Sequence, residues 1–444
     1  MLEYDFNQIL LVLTSSLLFI IPFLFLINKI GGVACMLIYY FVLKTWQGMS
    51  IFFLSLDDFY LLELNRYVGD GGFLYFTIYY FTFLVFIFLS GFIFSSIDNS
   101  RCYPLLSSGF LVGGGRDDYI VLFIIFLFFL CVACSYLVYL PPFFTGMQKH
   151  EYLDFYPNTL YFIYSKYQTF IAFILGLVFF RLSVAKKKVR FSVILLFLSF
   201  FLLILAGNKF SAIFNQLFFF LIPASLVMRG RSLKGFYFLS FGVVVLAALS
   251  LFLGVKVMMD VKGLAIDEAL HHFVQRVFVQ QGQIFTGVID RVYLEGAASP
   301  LEALNEVFLE PIVHSVGHTS ILFLMHRELG GGVFGAIEAG SQYTGAFPGI
   351  FFELFGGVGG WGAFILYTIF TLYVIKCLLY TVLRGHFLIA IGFLFVTQPI
   401  LLSYISGKFV FLLSFNYYLK ILLFFIVLLS YKLSASPRVS MRFN

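Results

Sequence analysis

Residues 118–140 read DYIVLFIIFLFFLCVACSYLVYL, and no charged side chain occurs between Tyr119 and Leu140. About 20 apolar residues in a helix cross the hydrocarbon core of a bilayer, so this stretch predicts a membrane span. Its hydrophobicity is continuous rather than alternating, which excludes a strand of an outer-membrane barrel. Working outward, comparable runs lie at 8–28, 31–54, 72–96, 159–182, 190–206, 210–228, 235–255, 358–383, 387–405 and 409–431. The reading is an all-α polytopic membrane protein with about eleven transmembrane helices, within a range of 10–12. Composition agrees. Of 444 residues, 61% are hydrophobic and 11% charged, against about 25% charged in a soluble domain. A water-soluble fold could not hide so much apolar surface. Disorder would need more charge. The chain opens with Glu3 and Asp5 rather than a basic region, so no cleavable signal peptide is expected.

Charge sets the expected orientation. Lys186, Lys187, Lys188 and Arg190 form one basic cluster, Arg229, Arg231 and Lys234 a second, and Lys432, Arg438 and Arg442 a third. The positive-inside rule places all three in the cytoplasm. Two spans fit between the first two clusters, joined by an outer turn at Gly207, Asn208 and Lys209. Counting in both directions puts the N-terminus outside and the C-terminus in the cytoplasm. Of the 28 Lys and Arg residues, 15 fall inside, ten outside, and Lys44, Lys376 and Lys420 within spans. Lys44 and Lys376 are expected to face a wet cavity or to pair with carboxylates, and Lys420 to snorkel. The net charge of +6 reflects these anchors, not a nucleic-acid surface. The segment 96–118 reads as a plain cytoplasmic loop. The chain thus divides into N-terminal membrane helices over 1–255, a large outer loop over 256–345, and C-terminal membrane helices with a short tail over 346–444.

The outer segment carries the candidate chemistry. Five of the seven histidines lie in it, His271, His272, His314, His318 and His326, with Arg276, Arg291 and Arg327. A long loop of this kind is usually functional. In HHFVQRVFVQQGQIF, residues 271–285, His272, Arg276, Gln280 and Gln283 share one helical face. Phe273, Val274, Val277, Phe278, Ile284 and Phe285 occupy the other. This predicts an amphipathic helix on the outer membrane surface. Its polar face suits a sugar-linked diphosphate, since Arg forks onto phosphate and Gln binds hydroxyls; a solvated interfacial face is the bland reading. Arg291 follows in FTGVIDRVYLEG beside Asp290, an ion-pair partner or an acid/base group. Adjacent helical residues do not face each other, so the two need not pair. Lys209 stands at the outer turn, placed to meet a lipid-linked phosphate or to snorkel.

His314 and His318 stand at metal-ligand spacing, but no third ligand has a recognisable position and HExxH is absent, so no metal is expected. A single histidine, His272 or His318, is a candidate general base, as is Glu338. The glycine-rich stretch GSQYTGAFPGIFFELFGGVGGWG, residues 340–362, suits a re-entrant segment lining a cavity. Glu353 in it is either a functional intramembrane charge or a group favouring the positive end of the next span. Five cysteines occur, and Cys131 and Cys134 read as buried spectators within a span. No GxxxxGK[ST] signature, nucleophile elbow or DxD pair is present, so neither nucleotide-driven chemistry nor a nucleotide-sugar donor is supported.

Many spans, a GNK turn between two central ones, a long outer loop with an Arg–Gln helix, and an ELFG segment opening the next span together resemble a known family. It is the bacterial O-antigen and capsule repeat-unit polymerases of the Wzy type. The resemblance implies a GT-C-like inner-membrane protein that polymerises undecaprenyl-diphosphate-linked oligosaccharide repeats on the periplasmic side, without metal or cofactor. It implies donor-diphosphate contacts at Arg276, Arg291 and Lys209, and, as possible partners, a flippase and a chain-length regulator. Gln280 and Gln283 would assist binding, and His272, His318 or Glu338 would supply the base. Relatives often carry arginine where this chain has Lys209. A flippase or transporter of lipid-linked oligosaccharide is the competing class, for which discontinuous helices around a cationic cavity would speak. An O-antigen ligase is the competing enzyme.

Overall fold

A computed structural model describes residues 6–56, 60–61, 66–67, 69–97, 116–145, 152, 155–207, 210–228, 259, 265–266, 268, 279–296, 347–406, 412 and 415–434. The described chain is almost entirely helical. In sequence order it comprises α1 (Phe6–Ile30), a 3-10 segment (Gly31–Leu37), α2 (Ile38–Leu54), α3 (Phe73–Phe94), α4 (Arg116–Val138), α5 (Thr159–Val184), α6 (Arg190–Leu205) and α7 (Phe210–Ala224). It continues with α8 (Gln280–Ile289), a π-helical turn (Asp290–Leu294), α9 (Gly349–Leu383), α10 (Phe387–Ser406) and α11 (Phe415–Ser434). A two-residue antiparallel bridge pairs Tyr60–Leu61 with Arg66–Tyr67.

Six helical stretches are long and apolar enough to cross a membrane: Thr14–Leu54, Phe73–Phe94, Arg116–Thr145, Thr159–Val184, Gly349–Leu383 and Phe387–Ile405. The chain is therefore a polytopic membrane-embedded protein. Helix is the natural outcome, because in hydrocarbon each backbone N–H and C=O must be satisfied within its own segment. The outward faces agree, since Phe88, Phe92, Phe123 and Leu366 are all more than half exposed. Such large apolar side chains suit contact with lipid rather than water. The expected span at 235–255 lies outside the described residues.

α2 sits near the centre of the bundle, packed against α1, α3, α7 and α8. α5 packs along α7, and hydrogen bonds link the two to each other and to α6 and α10. The Tyr164 hydroxyl meets Ser199 Oγ at 2.8 Å, Ser199 Oγ donates to Gln216 Oε1 at 3.0 Å, and Gln398 Nε2 donates to Thr169 Oγ1 at 2.6 Å. Interhelical hydrogen bonds of this kind hold helices together where lipid gives no hydrophobic drive. Near the first basic cluster, Arg181 pairs with the buried Asp118 at 3.0 Å and lies over the Phe387 ring. This ties α4, α5 and α10 together.

One feature of the elements differs from the sequence reading. Cys131 and Cys134 are free thiols on the exposed face of α4, not buried. The helical phase of 118–140 turns them outward, and in an apolar run either face can meet lipid. α9 is broken rather than straight. Gly356 adopts φ 70° and ψ −173°, so a short helix, 349–355, precedes the long one. A positive φ of this size is readily adopted only by glycine.

Candidate functional site

Two described pieces frame the outer segment: 279–296 near its middle and 347–355 just beyond its end. Both meet α2: α8 packs along it, and Phe347 is bonded to its Lys44. The sequence predicts that the helix over 271–285 lies on the outer membrane surface, with a polar face suited to a diphosphate. Its described part instead lies inside the bundle, with Gln283 and Thr286 as buried as Ile284 and Phe285. Gly282 makes this possible. A β-carbon there would come within 2.9 Å of the Ile51 backbone nitrogen, so only glycine allows α8 to press onto α2. Ser50 of α2 completes the joint. Its hydroxyl donates to the Val279 carbonyl at 3.1 Å and accepts from the Gly282 N–H at 2.9 Å. The first turn of a helix leaves backbone donors without intrahelical partners, and Ser50 supplies one where water is excluded.

The turn after α8 carries the charges. Asp290 is buried and accepts a hydrogen bond from the Tyr75 hydroxyl. That hydroxyl also accepts from the Gly71 N–H at 2.9 Å. The neighbouring Arg291 points elsewhere, pairing through Nη2 with Glu353. Adjacent in sequence, the two residues thus serve different partners. The Glu353 side chain is fully buried and that of Arg291 is 13% exposed. Glu353 thus has a specific partner: an arginine 62 residues earlier neutralises its carboxylate. Around the pair, Phe352 packs edge-on against Trp361, and the Tyr293 hydroxyl donates to the Gly357 carbonyl at 3.3 Å. Partial burial pushes the Tyr293 phenol above its ordinary value, so it serves as a donor at neutral pH.

Lys44 is buried in α2. Its ammonium donates to Gln47 Oε1 at 3.0 Å and to the Phe347 carbonyl at 2.6 Å. The rings of Tyr40, Tyr79 and Phe347 lie 5.0–5.7 Å away, in cation–π range. Among the described residues no carboxylate pairs with it, and it lines no wet cavity, being 4% exposed. Among the described residues its partners are an amide and a backbone carbonyl, neither of the alternatives expected for it. Lys376 instead lies over the Tyr373 ring at 5.9 Å, and Lys420 is exposed.

Of the residues expected to act, Gln283 is buried in α8, Gln280 opens that helix, and Arg291 follows it in the π-helical turn, paired with Glu353. His272, His318, Glu338, Arg276 and Lys209 lie outside the described residues. Sequence reasoning missed Tyr75 and Ser50. The signal for Ser50 was its spacing of three from Gln47, itself three from Lys44, along an otherwise apolar helix. Among the described residues no group of His, Cys, Asp and Glu could hold a metal ion. Compared with protein-family models, curated proteins and solved structures, the chain matches none.

Proposed function

We propose that this protein polymerises undecaprenyl-diphosphate-linked oligosaccharide repeat units into O-antigen or capsular polysaccharide at the periplasmic face of the inner membrane. The reading rests on the resemblance to Wzy-type polymerases, with eleven spans, a GT-C-like arrangement, a periplasmic N-terminus and a cytoplasmic C-terminus. The observation that carries it is the buried Arg291–Glu353 pair. It joins Arg291, to which the resemblance gives a diphosphate contact, to the ELFG segment of α9, one of the features on which the resemblance stands.

In the proposed reaction, a hydroxyl of the acceptor repeat attacks the anomeric carbon of the growing chain. The bond from that carbon to the diphosphate oxygen breaks, and undecaprenyl diphosphate leaves with the electron pair. A base drawn from His272, His318 and Glu338 takes the hydroxyl proton. Arg276, Arg291 and Lys209 meet the charge that develops on the leaving diphosphate, where fixed cations act most strongly. Gln280 and Gln283 assist binding. Both substrates are anchored in one bilayer, so proximity supplies much of the rate. No metal or cofactor enters the scheme. A flippase and a chain-length regulator are the proposed partners.

Deletion of the gene in its host tests the reading. Single repeat units on the lipid core, with loss of the polysaccharide ladder on a gel, are expected. Arg276→Ala and Arg291→Ala should reproduce that pattern. Unchanged polymer in Arg276→Ala would remove that residue from the scheme. Transport of the same glycans is the second reading, favoured by the break in α9 at Gly356. Loss of all surface glycan, with repeats trapped on the cytoplasmic side, would establish transport instead.

A further inference from the structure

α2 holds both described flanks of the outer segment, through Ser50 to α8 and through Lys44 to Phe347. The second link is chemically unusual. A lysine within an apolar bundle is costly, and such residues earn their place through a specific partner. Here the partner is a backbone carbonyl 303 residues away, reached at 2.6 Å. No apolar side chain could hold it. Gln47 fixes the ammonium from one side, and Tyr79 fixes Gln47 in turn by donating to Oε1 at 3.0 Å. The Phe347 ring packs 4.4 Å from that of Tyr404, so the same residue is anchored on α10 as well.

Phe347 directly precedes Pro348, the N-cap of the short helix that carries Glu353. Less than two helical turns separate the carbonyl held by Lys44 from the carboxylate held by Arg291. Where Phe347 sits therefore decides where Glu353 meets Arg291. Gly356 separates the short helix from the long one by a break in helical geometry, so the orientation of the long helix does not by itself fix the short one.

We propose that Lys44 is a positioning residue: it clamps the Phe347 carbonyl and thereby sets the short helix so that Glu353 orients Arg291. It touches neither substrate nor the reacting atoms. The clamp is a statement about geometry; only its kinetic consequence rests on the polymerase reading.

The test uses the purified full-length protein in two arms. In a cysteine-free background, Leu354→Cys places a thiol at a site now 1% exposed. Its labelling rate with a maleimide reports whether the short helix stays seated. Lys44→Met should raise that rate about tenfold, as for a locally released segment, with Lys44→Arg in between. An unchanged rate in Lys44→Met overturns the proposal. Should Lys44→Met fail to purify as a folded protein, Lys44→Gln takes its place, with the same expected rise and the same overturning result.

The second arm measures polymer formation from lipid-linked repeat units. In Lys44→Met, kcat should fall roughly 10–100-fold with KM within about threefold, because misplacement of a charged group affects the transition state most. Lys44→Arg should recover part of the loss. Lys44→Met combined with Glu353→Gln should be no worse than the worse single variant, since both disable one device. Additive losses, or a raised KM at unchanged kcat, overturn the role. Lys420→Met, at an exposed position on α11, should retain wild-type kinetics. If the wild-type protein makes no polymer, the polymerase reading fails and the labelling arm alone decides the clamp.

Discussion

The buried ion pair of Arg291 and Glu353 has a sign that substitution can expose. Two charges taken from water are stable only while they face each other. Glu353→Gln leaves the arginine without its carboxylate and should destabilise the purified protein by about 3–5 kcal/mol. Arg291→Met combined with Glu353→Gln removes both charges and should recover much of that loss in thermal unfolding. Polymer formation should stay absent in the double variant, which separates the arginine's proposed role from its contribution to the fold. A double variant no more stable than Glu353→Gln alone would mean the pair is not a coupled unit. Tyr75→Phe makes a milder probe. It deletes one hydroxyl from Asp290, and a hydrogen bond to a charged group contributes about 1.5–3 kcal/mol. The expected result is a lowered unfolding temperature with Arg291–Glu353 intact. An unshifted unfolding temperature would mean that the Asp290 contact contributes nothing to stability.

Helices of the bundle meet the outer segment through two glycines with different jobs. Gly282 permits close approach of α8 to α2, while Gly356 permits the change of direction in α9. Gly282→Val inserts three carbons where the Ile51 backbone leaves no room, and overpacking typically costs about 1–3 kcal/mol. α8 should lift from α2, breaking the Ser50 contacts and raising hydrogen exchange at the backbone amide of position 282. Protection equal to the wild type would show that α8 is not held there. Much of this level was legible in sequence. The runs at 72–96, 118–140, 159–182 and 190–206 coincide with α3 to α6 within a few residues, because continuous apolar composition admits no other regular structure in lipid. The placement of α8 was not legible. Its alternation of Gln with Ile, Phe and Val reads as amphipathic, and nothing local says that Ser50, 229 residues earlier, meets the backbone carbonyl of Val279. Glu353 illustrates the same limit. Its cost in an apolar stretch was visible, but its partner lies 62 residues back in a segment of different composition.

Seen whole, the molecule should sort its charge across the bilayer. Lys187 and Glu295 are both exposed, and the positive-inside rule assigns them to opposite sides. Lys187→Cys and Glu295→Cys in a cysteine-free background should react with an impermeant maleimide from opposite faces, the first only in inverted vesicles and the second only in spheroplasts. Labelling of both from one face would overturn the orientation and with it the periplasmic assignment of the chemistry.

The contact between Lys44 and Phe347 also sets an order of assembly during synthesis. α2 leaves the ribosome long before residue 347 exists. At typical elongation rates of about 5–20 residues per second, the 303 intervening residues take roughly 15–60 s to make. Through that interval the ammonium must wait in the nascent membrane domain with only nearby partners. Gln47, one helical turn away, is available from the outset. The early helices therefore enter the bilayer as a partly finished socket, and the last third of the chain closes it.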